Sequence, residues 1–321
     1  MNLTTIHQFI SDHDLIPSGS SIIVGLSGGP DSVFLLYFLN DLAKKGVISL
    51  VAAHLDHEWR TSSAQDARFC IHLCAKLGIP LVVKKASEIN LIYKKNGSKE
   101  AHARKLRQVF FTQLLGEYNA HAIALGHHAQ DQQETFFIRL IRGTSLNGLT
   151  CMKPKNGYYI RPLLETSKQT ILSYLHEHNI SYVQDPTNTS DDYLRNRIRN
   201  KLIPTLAMCD SRSENNITQT IKRLTQADEL LSTITLQTFE SIATPDGNSI
   251  DMKKLLALPL SLQNRVVLHW LIINKVPFTP TERFLQEIIR FLNQPDGKMH
   301  ALHHAWLITK KRQLARIETT P

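Results

Sequence analysis

One stretch constrains this chain more than any other: SIIVGLSGGPDSVFLLYFL, residues 21 to 39. An apolar run from Ile22 to Leu26 stops in SGGPDS, and a second run, Val33, Leu35, Leu36 and Leu39, begins at once with helical spacing. The first run reads as a buried strand and the second as a helix. A strand that turns straight into a helix aims the helix's unpaired N–H groups into the turn, which suits an anion such as phosphate. Gly28 and Gly29 let backbone approach that anion without a Cβ in the way, Pro30 fits a first helical position, and Ser27 and Ser32 add hydroxyls. Asp31 is the odd member, because a carboxylate beside phosphate repels it unless Mg²⁺ lies between the two. No GK[ST] follows, so this is not a Walker loop.

Strand and helix patterns go on alternating. VISLVAAHLDH, PLVVKKA and HAIALGHH read as strands, with helices over Ser62 to Leu77 and Glu100 to Leu115 between them. The expected fold class is therefore α/β: a parallel, Rossmann-like sheet with helices on both faces. Ligands of such sheets sit beyond the carboxyl ends of the strands. Here those ends carry SGGPDS, then His54, Asp56 and His57, then Gly126, His127 and His128. Past residue 211 the alternation stops. Ile217, Ile221, Leu224, Leu231 and Ile234 predict a long helix, and apolar helical patterns return from about 246. The expected organisation is a catalytic domain over 1–211, a linker helix over 212–245 and a smaller, mainly helical domain over 246–321.

Composition removes several classes. No apolar run approaches the length of a membrane span, and the start, MNLTTIHQFISDHDLIP, lacks the charged and apolar regions of a signal peptide, so a cytoplasmic protein is expected. Cys70, Cys74, Cys151 and Cys209 are too scattered for a disulfide framework. Cys70 and Cys74 fall in a helical pattern away from the predicted strand ends. The 37 Lys and Arg against 28 Asp and Glu leave a charge of +9, which favours a polyanionic partner.

Three further segments carry chemistry. In GHHAQDQQETFFIRLIRGTSLNGL, Asp131 and Glu134 stand three apart at a helix start, so they share a face. They are placed to hold Mg²⁺, to take a proton, or only to offset the helix dipole. In KEAHARKLRQVFF, Glu100, Arg104 and Arg107 fall on one stripe, either a phosphate or carboxylate clamp or a solvated face. DPTNTSDDYLRNRIRNKLIP packs Arg195, Arg197, Arg199 and Lys201 together. Their alternating spacing is expected to spread charge around a helix instead of pairing it with acids, which points to phosphate or RNA contact.

SGGPDS, HLDH, E-x-x-A-R-x-x-R, HHAQDQQET, RGTSLNGL, RPLL and DPTN followed by RNRIRNKLIP, in this order over about residues 20 to 206, resemble the bacterial tRNA(Ile)-lysidine synthetases of the PP-loop ATPase superfamily. SGGxDS marks only the superfamily; RNRIR and RGTSLNGL narrow it. Gln130 stands where many members have the first aspartate of HHxDDQ, and Gln108 replaces a common tyrosine. The chain ends where longer members continue, as in the family's short form.

The resemblance implies adenylation, by ATP, of the carbon-2 oxygen of the first anticodon cytidine in a CAU-anticodon tRNA(Ile), with release of pyrophosphate. The side-chain amine of L-lysine then displaces AMP and gives lysidine. It implies that Ser27, Gly28, Gly29, Pro30, Asp31 and Ser32 grip the phosphates, that Asp31 and Asp131 hold Mg²⁺, and that His54, Asp56 and His127 border the ATP. It further assigns Asp131 and Glu134 to the lysine ammonium or its proton, Arg104 (with Arg107) to substrate carboxylate or phosphate, and Arg195, Arg197 and Arg199 to tRNA. Residues 246–321 then help to place the tRNA; an oligomer is compatible with all of this.

Three other readings share some of these features. A PP-loop tRNA-thiolating enzyme would need paired reactive cysteines. An amidotransferase such as GMP synthetase would need an ammonia source and has no use for RNRIR. A pure RNA-binding protein has no use for an intact SGGPDS beside Asp131 and Glu134.

Overall fold

The computed structural model describes residues 3–59, 63–90, 99–184, 193–279, 281–295 and 299–319. Strands β1 (Ser21–Gly25), β2 (Ser49–Asp56), β3 (Leu81–Lys85), β4 (Ala122–Ala124), β5 (Lys155–Asn156) and β6 (Tyr159–Ile160) form one sheet in the order β3-β2-β1-β4-β6-β5. Neighbours are parallel except at the β5–β6 edge hairpin. The four long-range strands match the apolar runs in the sequence; the edge hairpin has no such signature because two-residue strands carry no periodicity.

Helices α1 (Thr4–Asp12), α2 (Pro30–Lys44), α3 (Ser63–Leu77), α4 (Lys99–Glu117), α5 (Ala129–Arg142), α6 (Leu146–Leu149), α7 (Lys168–Glu177), α8 (Leu194–Arg197) and α9 (Ile203–Cys209) surround it. A π-helical turn, Ile198–Leu202, joins α8 to α9. The two-residue side-chain period of β1 divides its burial between two cores. Ile22 and Val24 pack with Phe34, Leu35, Cys70 and Ile171 on one face, while Ile23 packs with Leu106, Phe110 and Ile123 on the other. A strand buried on both faces explains the unbroken apolar run.

The chain leaves β1 for β2 and β3 on one side, then returns to β4 on the other side of β1. The sheet therefore switches direction between β1 and β4, where a crevice opens at the carboxyl ends of the strands. The Ser27–Ser32 turn and the His127–His128 segment flank that point.

The chain divides into compact units Met1–Lys222 and Arg223–Pro321, and the division falls within helix α10 (Ser213–Ile242), which covers the long helix expected from the sequence. The second unit combines α11 (Met252–Leu256), α12 (Leu260–Ile273) and α13 (Glu282–Leu292) with an antiparallel sheet of β7 (Ser249–Asp251), β8 (Met299–His303), β9 (Trp306–Lys311) and β10 (Leu314–Thr319). The strand order is β7-β10-β9-β8. Its core gathers Trp270, Leu255, Val267, Ile288 and Ile308. Leu285, Ile288, Ile289 and Leu292 give α13 one buried stripe. Buried Lys310 donates from Nζ to the Phe291 carbonyl at 2.9 Å and stands over the Phe291 ring, capping the end of α13. The sequence showed this unit's helices and not its sheet, whose strands alternate too short a set of apolar residues.

Among the described residues no helix is long and apolar enough to cross a membrane.

Candidate active site at the sheet's switch point

The SGGPDS turn is built from inside. Ser32 Oγ donates to the Gly29 carbonyl at 2.9 Å, accepts from the Ser27 amide at 3.1 Å, and lies 3.1 Å from Ser27 Oγ. The two serines thus tie the turn's ends together. Gly28 has φ +85, and its carbonyl accepts from the Val183 amide at 2.9 Å. A Cβ there would be strained by the backbone and would stand 3.2 Å from Val183 Cγ2. Pro30 opens α2, so the amides of Asp31 and Ser32 fall in the first turn, where a helix offers no partner of its own. Gly126, just past β4, lets the neighbouring strand end close in: a Cβ would lie 3.0 Å from the Asp31 carbonyl carbon and oxygen.

That approach brings two motifs together. His128 Nε2 stands 3.7 Å from Asp31 Oδ2 and 3.5 Å from Asp131 Oδ2. Asp131 Oδ2 also accepts from the His128 amide at 3.0 Å, so Asp131 caps α5 as well as facing the site. On the other side of Asp31, Lys168 Nζ donates to Oδ1 at 2.5 Å. Sequence reasoning passed over Lys168; its only signal was a lone basic residue behind RPLL at a helix start.

Glu134 is buried, with a side chain 1% exposed. Arg195 Nε donates to its Oε2 at 2.6 Å while Arg195 Nη2 donates to Asp131 Oδ1 at 2.6 Å. Arg199 adds Nε to Glu134 Oε1 and Nη2 to Oε2 at 3.0 Å. The expectation that this arginine block leaves acids alone is therefore corrected. Residues 195 and 199 are one turn apart, and α8 with its π-helical extension presents both to α5. Arg197, between them, is exposed. Burial pushes the Asp131 carboxyl up, but His128, Arg195, His127 and the His128 amide outweigh it and hold the group below the usual carboxylate range.

The β2 end contributes His54, Asp56 and His57. His54 is buried, with Nδ1 2.8 Å from the Leu26 carbonyl. Asp56 Oδ1 accepts from the Glu58 amide at 2.8 Å and so shapes the exit from β2. Cys70 Sγ lies 3.4 Å from His54 Nδ1 and 3.4 Å from where a Gly28 Cβ would stand. Cys70 therefore underlies the glycine turn and is not remote from the strand ends, because α3 crosses beneath them. Burial pushes its thiol up to about 12 and that of Cys74 to about 11, so both stay protonated at neutral pH.

At the ends of β2 and β4, His54 Nε2, His57 Nδ1, His127 Nδ1 and His128 Nδ1 are each buried without a hydrogen bond. Burial pulls His127 down to about 4, opposed by Asp131 and reinforced by Arg161, Arg195 and Arg107. His57 likewise falls to about 4, through burial and then Arg107 and His54. Arg104 is exposed on α4, where its charge acts on Arg161. The side chain of Glu100 and the DPTN segment lie outside the described residues.

Three glutamines on α5 fix its position, a role the sequence did not disclose because glutamine spacing has no chemistry of its own. Gln132 clasps Met152, donating to its carbonyl and accepting from its amide, both at 2.8 Å. Gln133 donates to the Glu214 carbonyl at 3.0 Å and to Thr218 Oγ1 at 3.1 Å. Gln130 accepts from the Lys168 amide at 2.8 Å and donates to Glu214 Oε2 at 3.3 Å.

Among the described residues no three His, Cys, Asp or Glu side chains gather to hold a metal by themselves. Mg²⁺ asks for less: it is held by one or two carboxylates, with substrate phosphates and water completing its shell. Asp31, beside a turn whose glycine backbone leaves room for phosphate, and Asp131 beyond His128 fit that requirement.

Residues 2–206 match the family described as PP-loop domain, and residues 250–314 match the TilS substrate binding domain. The tRNA(Ile)-lysidine synthase of Bacillus subtilis (strain 168) is 34% identical over 89% of this chain and 63% of its own length. The protein of the same name from Bacillus licheniformis is 32% identical over 97% of this chain and 69% of its own. The chain thus spans about two thirds of the length of these curated relatives. Among solved structures, the U34-tRNA thiolase NcsA from Methanococcus maripaludis superposes with a TM-score of 0.58 over 69% of this chain and 78% of that one. At 18% identity, that likeness shows the fold alone.

Proposed function

The chain belongs to the tRNA(Ile)-lysidine synthase family, with a PP-loop domain, and on that premise we propose that it adenylates the first anticodon cytidine of a CAU-anticodon tRNA(Ile) and joins L-lysine to it. One observation carries the reading: the phosphate turn with Asp31 and the acid pair Asp131 and Glu134 meet at the sheet's switch point, with His128 between the two aspartates.

The glycine turn and the first turn of α2 receive the phosphates that leave as pyrophosphate, with Asp31 and Asp131 as the Mg²⁺ ligands. When bound there, Mg²⁺ supplies charge neutralisation as the α–β bond breaks. His54, Asp56 and His127 border the nucleotide, and His127, uncharged near pH 7, offers a neutral hydrogen-bonding edge. Arg104, exposed on α4, is the group proposed for a carboxylate or phosphate.

Lysine must lose a proton before its amine attacks, which from a pKa of about 10.4 to pH 7 costs about 4.6 kcal/mol. Glu134 and Asp131 are the groups that receive the ammonium. In the structure they are held by Arg195 and Arg199, so tRNA phosphates and the lysine ammonium exchange partners with an existing ion-pair set. Arg197 adds a phosphate contact, and the basic second unit helps to place the tRNA.

A thiolating reading lacks support, because the two cysteines nearest the turn are buried thiols. Free cysteines and a tRNA substrate are consistent with a cytoplasmic location. The deciding experiment incubates the protein with ATP, Mg²⁺, labelled lysine and a CAU-anticodon tRNA. Label on the cytidine is expected; label absent while pyrophosphate is released would move the protein to another adenylating reaction.

A further inference from the structure

Lys168 pairs with the carboxylate of the phosphate turn, and its backbone is fixed in three ways. Its amide is fixed by Gln130 Oε1 at 2.8 Å. Ser167 caps α7 by accepting from the Thr170 amide at 3.1 Å, and the preceding Thr166 carbonyl accepts from the Ala129 amide at 2.9 Å. The backbone of Lys168 is thereby tied to the start of α5. Its four-carbon stem carries the ammonium to Asp31 Oδ1 while the side chain remains 32% exposed.

An ammonium on Asp31 Oδ1 already neutralises the carboxylate that a divalent ion would use, although the side facing His128 and Asp131 is Oδ2. The two cations compete for one negative charge, and the metal's higher charge density favours the carboxylate and loosens the lysine's single charge. Once released, the ammonium remains tethered beside the turn, where phosphate oxygens are its nearest new partners. From this geometry we infer that Lys168 is the resident counter-cation of Asp31, gives that carboxylate up to the metal, and then binds the nucleotide's phosphates. This rests on the ATP reading above. It explains how a carboxylate survives beside an anion site before the metal arrives, and it makes the lysine a competitor of the bare metal and an ally of the metal–nucleotide complex.

The two roles have opposite signs, which a merely structural lysine does not share. In the full-length protein without tRNA, Mn²⁺ alone is titrated by electron paramagnetic resonance, and Mg·ATP by calorimetry, for wild type, Lys168→Gln and Lys168→Arg. Lys168→Gln is expected to bind Mn²⁺ about tenfold more tightly and Mg·ATP about tenfold more weakly, as for loss of one charge-assisted hydrogen bond. Lys168→Arg, which keeps the charge, is expected to restore most of the ATP affinity and so shows that the loss in Lys168→Gln is not misfolding. Mn²⁺ affinity unchanged, lowered or undetectable in Lys168→Gln overturns the competition; ATP affinity unchanged overturns the phosphate contact. A wild-type protein that binds no ATP would instead overturn the nucleotide reading, and the hand-off with it.

Discussion

The turn that carries Asp31 and the helix start that carries Asp131 and Glu134 border one crevice, yet they hold their carboxylates in opposite ways. Asp31 is 27% exposed and faces one flexible lysine. Glu134 is 1% exposed and receives three guanidinium hydrogen bonds from two arginines. An ion pair of the first kind exchanges readily, because water can replace either partner. A pair of the second kind exchanges only when another charge takes over, since an uncompensated buried carboxylate is costly. On the proposed function, the difference suits Asp31 to a ligand that comes and goes in each cycle. It suits Glu134 to a step that requires its arginines to be drawn elsewhere.

The largest effect should follow from removing the exchangeable group. Asp31→Ala is expected to fold normally, as little packs on a partly exposed side chain, and to lose tRNA-dependent pyrophosphate release by at least about a hundredfold. A near wild-type rate in Mg²⁺ would break the comparison at its first term. The locked group should behave differently. Glu134→Gln leaves Arg195 and Arg199 short of a charge, so a stability loss of about 2 kcal/mol, discounted for the partly exposed arginines, is expected in denaturant unfolding. Lysine transfer should slow more than adenylation, so that adenylated tRNA accumulates. Equal slowing of both steps would move Glu134 to the nucleotide.

The contrast between the two carboxylates was only half legible in the sequence. The strand, turn and helix around SGGPDS announce themselves, because an apolar run, two glycines and Pro30 each have a local cause. Asp131 and Glu134 were also visible as a pair. Their partners were not: Arg195 lies 61 residues beyond Glu134, and Lys168 lies 137 beyond Asp31. Such contacts depend on the sheet order and on a π-helical turn, which periodicity does not encode. The arginine spacing even suggested divergence, since 195 and 197 do point apart; 195 and 199 do not. Cys70 was misplaced for a related reason, as nothing local says which end of α3 passes under the turn.

A smaller effect concerns where tRNA affinity comes from. With Arg195 and Arg199 occupied by acids in the resting protein, initial phosphate contacts must rest more heavily on other cations. Residues 246–321 hold eleven Lys and Arg against six Asp and Glu. Lys311, Arg312 and Arg316 stand exposed along the β9–β10 hairpin. Replacing all three by Gln is expected to weaken tRNA binding and to reduce the slope of log affinity against log salt by up to about 2.7, at 0.9 per phosphate contact. ATP binding should be untouched. An unchanged salt slope would return that duty to the arginine block and erode the distinction between locked and available charges. Truncation before α10 is a poorer test, because it also removes the Glu214 and Thr218 partners of Gln130 and Gln133.

The smallest effect is on pH dependence, and it probes the histidines that accompany both carboxylates. His127 is held at about 4 in the fold against an ordinary value of 6.5. Its stabilising contribution is fully present above pH 6.5 and is lost as pH falls toward 4, because over that interval the unfolded chain binds the proton that the folded chain refuses. His57, also near 4, acts in the same direction. The melting temperature of the ligand-free protein should therefore fall from pH 7 to pH 5. His127→Asn, which keeps a polar planar side chain and cannot titrate, should make that fall shallower without abolishing it, since His57 remains. A fall of equal steepness in the variant would mean that His127 takes up its proton in the fold as readily as in the unfolded chain, and the burial-enforced neutrality assigned to it beside the nucleotide would have to be withdrawn.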